Sequence, residues 1–185
     1  MATAPRKTSP SARKPAARTA TGVSHPDAIA LLRADHQHVS ALFEQYESTR
    51  STAKKKTLVA AICRELGIHA QIEEEIFYPA VKAALKDKEL VPEAQVEHQS
   101  LKDLIAQVED REPDGEMFDA TIKVMSEYVK HHVKEEQNEM FVRAKKPRLD
   151  MQQLGEQLAA RKQVLMDDPS QLERSLAKES TENFA

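Results

Sequence analysis

Two short stretches concentrate side chains able to hold a metal ion. Tyr128 to Phe141, YVKHHVKEEQNEMF, places two histidines and three glutamates within fourteen residues. His69 to Pro79, HAQIEEEIFYP, follows the same plan: a histidine, a short gap, a glutamate cluster, then an apolar pair. A histidine and a carboxylate four residues apart lie on one face of a helix, about one turn from each other. Side chains so placed on facing helices of a bundle build a metal site in its core. Imidazole and carboxylate donors without thiolate suit iron, manganese or zinc.

Hydrophobic periodicity indicates which elements carry these groups and which of them face inward. A first helix is predicted over about residues 26–50, capped by Ser24, with Ile29, Leu32, His36, Val39 and Phe43 in one stripe. A second runs from about Thr52 to Leu85. Leu58, Ile62, His69, Glu73, Ile76 and Phe77 share its face, and Pro79 should kink or interrupt it. A third aligns Val91, Ala94, His98, Leu101, Ile105 and Val108, and the REPDG run at 111–115 ends it. A fourth, from about Glu116 to Lys146, aligns Phe118, Ile122, Met125, Val129, His132, Glu136 and Met140. That stripe separates neighbours: His132 and Glu136 face inward, while His131 lies about 100° around the helix. A fifth helix, about Leu149 to Met166, offers Leu154, Leu158 and Leu165 for packing, and an amphipathic turn is predicted around Gln171 to Lys178.

Each of the first four helices therefore carries one inward histidine, His36, His69, His98 and His132. Glu73 and Glu136 lie one turn beyond two of them. A lone inward histidine is more often a satisfied core residue than a ligand, and a glutamate run is more often a solvated face. Here six ionisable groups share one depth. Buried carboxylates ordinarily neutralise, so two of them beside four imidazoles call for cations to supply the missing charge. His25 and His38 belong at the surface. Glu74, Glu75, Glu135 and Glu139 read as solvated, with Glu74 able to steady a ligand.

The composition agrees with an all-α chain: 185 residues with four Gly and no Trp. Net charge is −3, yet residues 1–24 hold five basic and no acidic side chains, leaving 22 basic against 30 acidic beyond them. The expected organisation is a disordered basic arm (1–24), an antiparallel up-down four-helix bundle (25–146) and a C-terminal helical extension (147–185). The single cysteine, Cys63, excludes an intrachain disulfide. With no apolar signal or spanning stretch, a cytoplasmic location without membrane contact is expected.

The runs LRADHQHV (Leu32 to Val39), HAQIEEEIFYP, Glu97-His98 and HHVKEEQNEMF resemble, in order, the motifs of the hemerythrin-like, or HHE cation-binding, family. The likeness covers about residues 26–146 and implies a four-helix bundle holding two non-haem iron ions with an oxo or hydroxo bridge. By matching motif it gives His36, His69 and Glu73 to one metal, and His98 and His132 to the other, with Glu73 and Glu136 bridging. Oxygen-carrying members have a fifth histidine one turn from the one in the third helix. Here those neighbours are Ala94 and Lys102. Oxygen carriers also place the second carboxylate five residues after the histidine, where this chain has Gln137. Glu97, a solvent ligand, or a tyrosine such as Tyr46 or Tyr128 would fill the gap.

The resemblance implies a protein that binds dioxygen, nitric oxide or peroxide for sensing, delivery or protection, with a protein partner if it is a sensor. An alternative is a di-iron enzyme of peroxide detoxification or iron oxidation. The Glu-x-x-His signature of ferritin-like enzymes is absent from the chain. A second alternative is a helical interaction module whose basic arm binds nucleic acid through phosphate contacts.

Overall fold

The computed structural model describes residues 25–86, 88–109, 111–146 and 149–172. The basic arm, Ser24 and most of the predicted turn Gln171–Lys178 lie outside these residues. The described residues are helical, with no strand among them. Asp27 rather than Ser24 starts the first helix, α1 (Ala28–Ser48), its Oδ1 accepting the Ala30 N–H at 2.8 Å. Ser51 caps α2 (Thr52–Ile72) in the same way. A π turn, Glu73–Phe77, links α2 to α3 (Tyr78–Leu85). After a short connection come α4 (Leu90–Val108) and α5 (Glu116–Glu135). A second π turn, Glu136–Met140, leads into α6 (Phe141–Ala144), and α7 (Met151–Asp167) closes the described chain.

The legs of the bundle are α1, α2 with α3, α4, and α5 with α6. α1 packs on α2 and α5, and α4 packs on the same two, so the four legs form a closed square. The predicted stripes of the first, third and fourth legs are buried throughout, and in the second only Ile76 remains half-buried. The apolar core falls into two clusters. One joins Leu32, Ile72, Phe77, Val91 and Phe141 near the π turns; the other joins Val39, Ile62, Leu101, Ile122 and Met125. The inward histidines occupy the level between them, where each stripe passes from one cluster to the other.

The second leg is interrupted just before Pro79, as that residue's chemistry leads one to expect. Proline has no N–H to give the carbonyl four residues back, and its ring would strike that carbonyl. The chain instead widens by one residue: the Tyr78 N–H bonds to the Glu73 carbonyl, five residues back. In the fourth leg the Phe141 N–H bonds to the Glu136 carbonyl in the same way, with no proline nearby. Both π turns begin at an inward carboxylate.

α7 packs against α1, α2 and the first π turn, burying Leu158 and Leu165 completely. Gly155 is required at its crossing with α1, because a Cβ there would stand 2.3 Å from the Pro26 carbonyl oxygen. Arg161 clamps Glu75 through Nε and Nη2 at 2.6 and 2.9 Å, and Lys162 reaches Asp35 at 2.6 Å.

Candidate metal centre

All six inward residues converge. α1 supplies His36, α2 supplies His69, α4 supplies His98 and α5 supplies His132, while Glu73 and Glu136 are the first residues of the two π turns. Every one is buried, Glu73 completely. Their donor atoms form two adjoining groups that share Glu73: His36, His69, Glu73 and Glu136 in one, Glu73, His98 and His132 in the other. His36 Nε2 lies 3.0 Å from His69 Nε2 and 3.2 Å from Glu136 Oε2. Glu73 Oε2 lies 3.3 Å from His69 Nε2 and 3.5 Å from His98 Nε2, which stands 3.3 Å from His132 Nε2. Glu73 is thus central, and Glu136 faces the His36–His69 side.

The outer ring nitrogens explain why the inner ones point inward. His98 Nδ1–H donates to Glu74 Oε1 at 2.9 Å, and Glu74 is in turn held by Lys102 at 2.8 Å. His132 Nδ1–H donates to Glu97 Oε2 at 2.7 Å. The Gln137 amide lies 3.0 Å from His36 Nδ1. Asp35, paired with Lys162, stands 3.6 Å from His69 Nδ1. A carboxylate on Nδ1 fixes the tautomer that leaves Nε2 with its lone pair, the arrangement of metal-bound histidines.

Lone pairs and carboxylate oxygens crowded into one buried volume repel each other unless a cation lies among them. Among the described residues Glu73 Oε1 and Glu136 Oε1 find no hydrogen-bond partner, and Glu136 Oε2 lies 3.2 Å from His36 Nε2. Leaving such atoms unmet is expensive. The electrostatics carry the same mark. Burial and the neighbouring Glu136 charge drive Glu73 well above the usual carboxylate range. Burial also works to raise Glu136, but the His36 contact and the charges of His132, His36 and His69 outweigh it and hold it at about 2. Burial pushes His69 down to about 4. The donor set fits a resident cation on two counts: orientation and unmet oxygens.

Sequence reasoning passed over Tyr78. Its hydroxyl lies 3.3 Å from Glu73 Oε2 and 3.2 Å from His98 Nε2, on the side with fewer donors. Of the residues considered for that gap, Glu97 is engaged on the far side of His132. The Tyr46 hydroxyl donates to Asp119 at 2.6 Å, and Tyr128 borders a void beside the rings. Glu74 and Glu97, half-buried behind the ring nitrogens, hold the histidines. Glu75 pairs with Arg161, while Glu135 sits at the surface against His131. His25 and His38 are exposed, and Cys63 is buried in the apolar core.

The void, about 20 Å³ in volume, presents mainly apolar surface and is lined by all four histidines, Asp35 and Tyr128 together with five aliphatic side chains. No described helix is long and apolar enough to cross a membrane.

Comparison with known proteins gives a consistent picture. A DNA nickase from Nostoc sp. is 26% identical over 111 residues, 60% of this chain; the match spans 31% of that longer relative. The crystal structure of a hemerythrin HHE cation binding domain-containing protein from Mycobacterium kansasii superimposes with a TM-score of 0.63. That match covers 75% of this chain and 86% of the other at 24% identity, and so establishes likeness of fold. Residues 27–144 match the sequence profile of the hemerythrin HHE cation binding domain, the segment that contains all six converging residues, and the chain belongs to that family.

Proposed function

We propose that this protein holds two non-haem iron ions and binds dioxygen or a related small ligand, such as nitric oxide or peroxide, beside them. One observation carries the reading: four Nε2 atoms and two buried carboxylates face a single volume, while Glu74 and Glu97 hold the opposite ring nitrogens of His98 and His132. His36, His69, Glu73 and Glu136 would hold one ion, and Glu73, His98 and His132 the other, with Tyr78 within reach of the second. Iron supplies redox chemistry and an open coordination position. The chain's own part is to orient the rings through Glu74, Glu97, Asp35 and Gln137, and to keep water scarce. The mainly apolar void suits a neutral molecule of two or three atoms.

A second reading, turnover of peroxide at the same centre, is favoured by the Tyr78 hydroxyl, a buried proton donor at the donor-poor side. A third, DNA binding through residues 1–24, is motivated by the basic arm and by the name of the Nostoc relative. It predicts salt-sensitive binding that disappears with the arm.

The deciding measurement is metal content of freshly purified protein, with absorption spectra before and after admitting oxygen. About two irons per chain and near-ultraviolet bands that change with oxygen support the proposal. Protein that carries no metal and takes up no iron anaerobically overturns it. Peroxide turnover by the iron-loaded protein then separates the first reading from the second.

A further inference from the structure

The sequence HHVKEE contains two overlapping histidine–glutamate pairs, each four residues apart, on one helix. His132 and Glu136 face the core. His131 and Glu135 lie side by side on the flank, with His131 Nε2 3.2 Å from Glu135 Oε1. Glu97, arriving from α4, stands between the pairs. Its Oε2 accepts from His132 Nδ1 at 2.7 Å, and its Oε1 lies 3.9 Å from His131 Nε2. One oxygen of a single carboxylate serves the buried cluster, and the other faces the surface pair. The donor atoms of Glu97, His131 and Glu135 lie within 4.8 Å of one another, the spacing of a three-donor cation site.

A second observation lies behind this trio. Between α4 and the end of α5 is a cavity of about 20 Å³ to which Glu93, Glu97, Glu135, His132 and Glu136 contribute polar groups beside the apolar Leu90, Ala94 and Met140. Glu136 is almost fully buried, and its Oε1 has no hydrogen-bond partner among the described residues. Glu97 and Glu135 thus belong both to the solvent-facing trio and to this cavity, and Glu136 both to the cavity and to the buried cluster. A partly dehydrated divalent ion can exchange one carboxylate for the next along them. The other approach differs in chemistry: between α1 and α5 a cavity of about 320 Å³ reaches His36 past Lys130 and Lys134, whose charges oppose a cation.

We propose that Glu97, His131 and Glu135 form an exterior cation site that captures a divalent metal ion and passes it through the acidic cavity to the buried cluster. The loading role rests on the reading of that cluster as a metal centre. The exterior site has an open face, because the His131 side chain is 62% exposed, so it binds weakly and releases readily.

The test compares full-length protein with the double variant His131→Ala, Glu135→Gln. Glu97 is left intact because it holds His132. Both replaced side chains are solvent-accessible, so matched thermal unfolding curves are expected. Metal-free protein is mixed anaerobically with ferrous ion and quenched at intervals with a chromogenic chelator. The variant should load about tenfold more slowly, the scale of electrostatic capture effects, and reach the same final content. In iron-filled protein, titration with Mn²⁺ followed by loss of the free-ion paramagnetic resonance signal should show a further weak site, missing from the variant. Equal loading rates overturn the loading role, and absence of the additional manganese site overturns the exterior site. Wild-type protein that takes up no iron overturns the buried-centre reading itself, an outcome distinct from both.

Discussion

Tyr78 and Glu73 meet, hydroxyl to Oε2 at 3.3 Å, because the chain takes a π turn between them. In a regular α-helix, residues five apart point about 140° away from each other. The wider turn brings the fifth residue back over the first, and Tyr78 enters the core completely buried. Replacing Tyr78 with Phe keeps the ring's packing and removes the hydroxyl alone. Metal-free Tyr78→Phe should lose about 1 kcal/mol of stability, the net value of one buried hydrogen bond. The iron-loaded variant should show an altered absorption spectrum. A spectrum identical to wild type would place the hydroxyl outside the coordination sphere.

The carboxylates behind the rings should matter nearly as much as the donors. Glu74 holds His98, and Glu97 holds His132. Glu74→Gln and Glu97→Gln each keep the shape of the side chain while weakening its grip on Nδ1–H. Metal affinity, measured by chelator competition, should fall about 10- to 100-fold in either variant. Glu139→Gln, on an exposed residue of the second π turn, should leave affinity unchanged. Equal losses in all three would assign the effect to overall charge rather than to ring orientation.

The choice among histidines can be tested in the same way. His69→Ala and His132→Ala each remove one imidazole from a buried carboxylate cluster, and the remaining charge loses compensation. Each should lose metal and about 3–5 kcal/mol of stability, the cost of breaking a buried pair. His38→Ala, on the exposed face of α1, should do neither. Metal loss from His38→Ala as complete as from His69→Ala would overturn the assignment of faces.

The six convergent residues were legible because their stripes are long and regular. Phe118, Ile122, Met125, Val129, His132, Glu136 and Met140 step by three and four without interruption, and every one is buried. That regularity distinguished His132 from His131. Tyr78 was missed because the same 3.6-residue rule was carried through a segment that does not obey it. Pro79 and the five-residue spacing were the available signals. Asp35 was beyond reach for another reason: it neighbours His36 in sequence but stands beside His69 on another leg, a relation set by how α1 and α2 cross. The contribution of α7 was half legible. Leu154, Leu158 and Leu165 announced packing, but nothing local marked Arg161 and Lys162 as the residues that tie α7 to Glu75 and Asp35, directly behind the centre.

Acid should weaken a contact far from the centre in a defined direction. Asp119 accepts from Lys55 and from the Tyr46 hydroxyl, and these bonds hold its carboxyl below the ordinary carboxylate value. A depressed carboxylate contributes stability above its unfolded pKa, near 3.9. That contribution disappears as pH falls through the lower folded value. The Asp119 side chain is half exposed, so the stabilisation is small, about 0.2–1 kcal/mol in ordinary salt. Metal-free Asp119→Asn should therefore melt slightly below wild type at pH 6, and the difference should close below about pH 4. A difference that persists at pH 2 would mean that Asp119 acts through packing rather than charge.

Two glycines separate backbone contact from side-chain contact. A Cβ at Gly155 would lie 2.3 Å from the Pro26 carbonyl oxygen and 2.8 Å from the Ala28 nitrogen, atoms that cannot rotate aside. A Cβ at Gly67 would meet only the tip of Leu172, at 3.1 Å. Gly155→Ala should push α7 away from α1 and destabilise by about 1–3 kcal/mol, the usual range for overpacking. Gly67→Ala gains about 1 kcal/mol of helix propensity, offset only by a shift of one flexible side chain. It should melt at or above wild type. Because α7 carries Lys162 to Asp35 and Arg161 to Glu75, Gly155→Ala should also weaken metal retention, whereas Gly67→Ala should not. Thermal unfolding with metal content on the same samples tests both. A Gly155→Ala protein that loses stability but keeps its metal fully would show that α7 braces the bundle without bracing the centre.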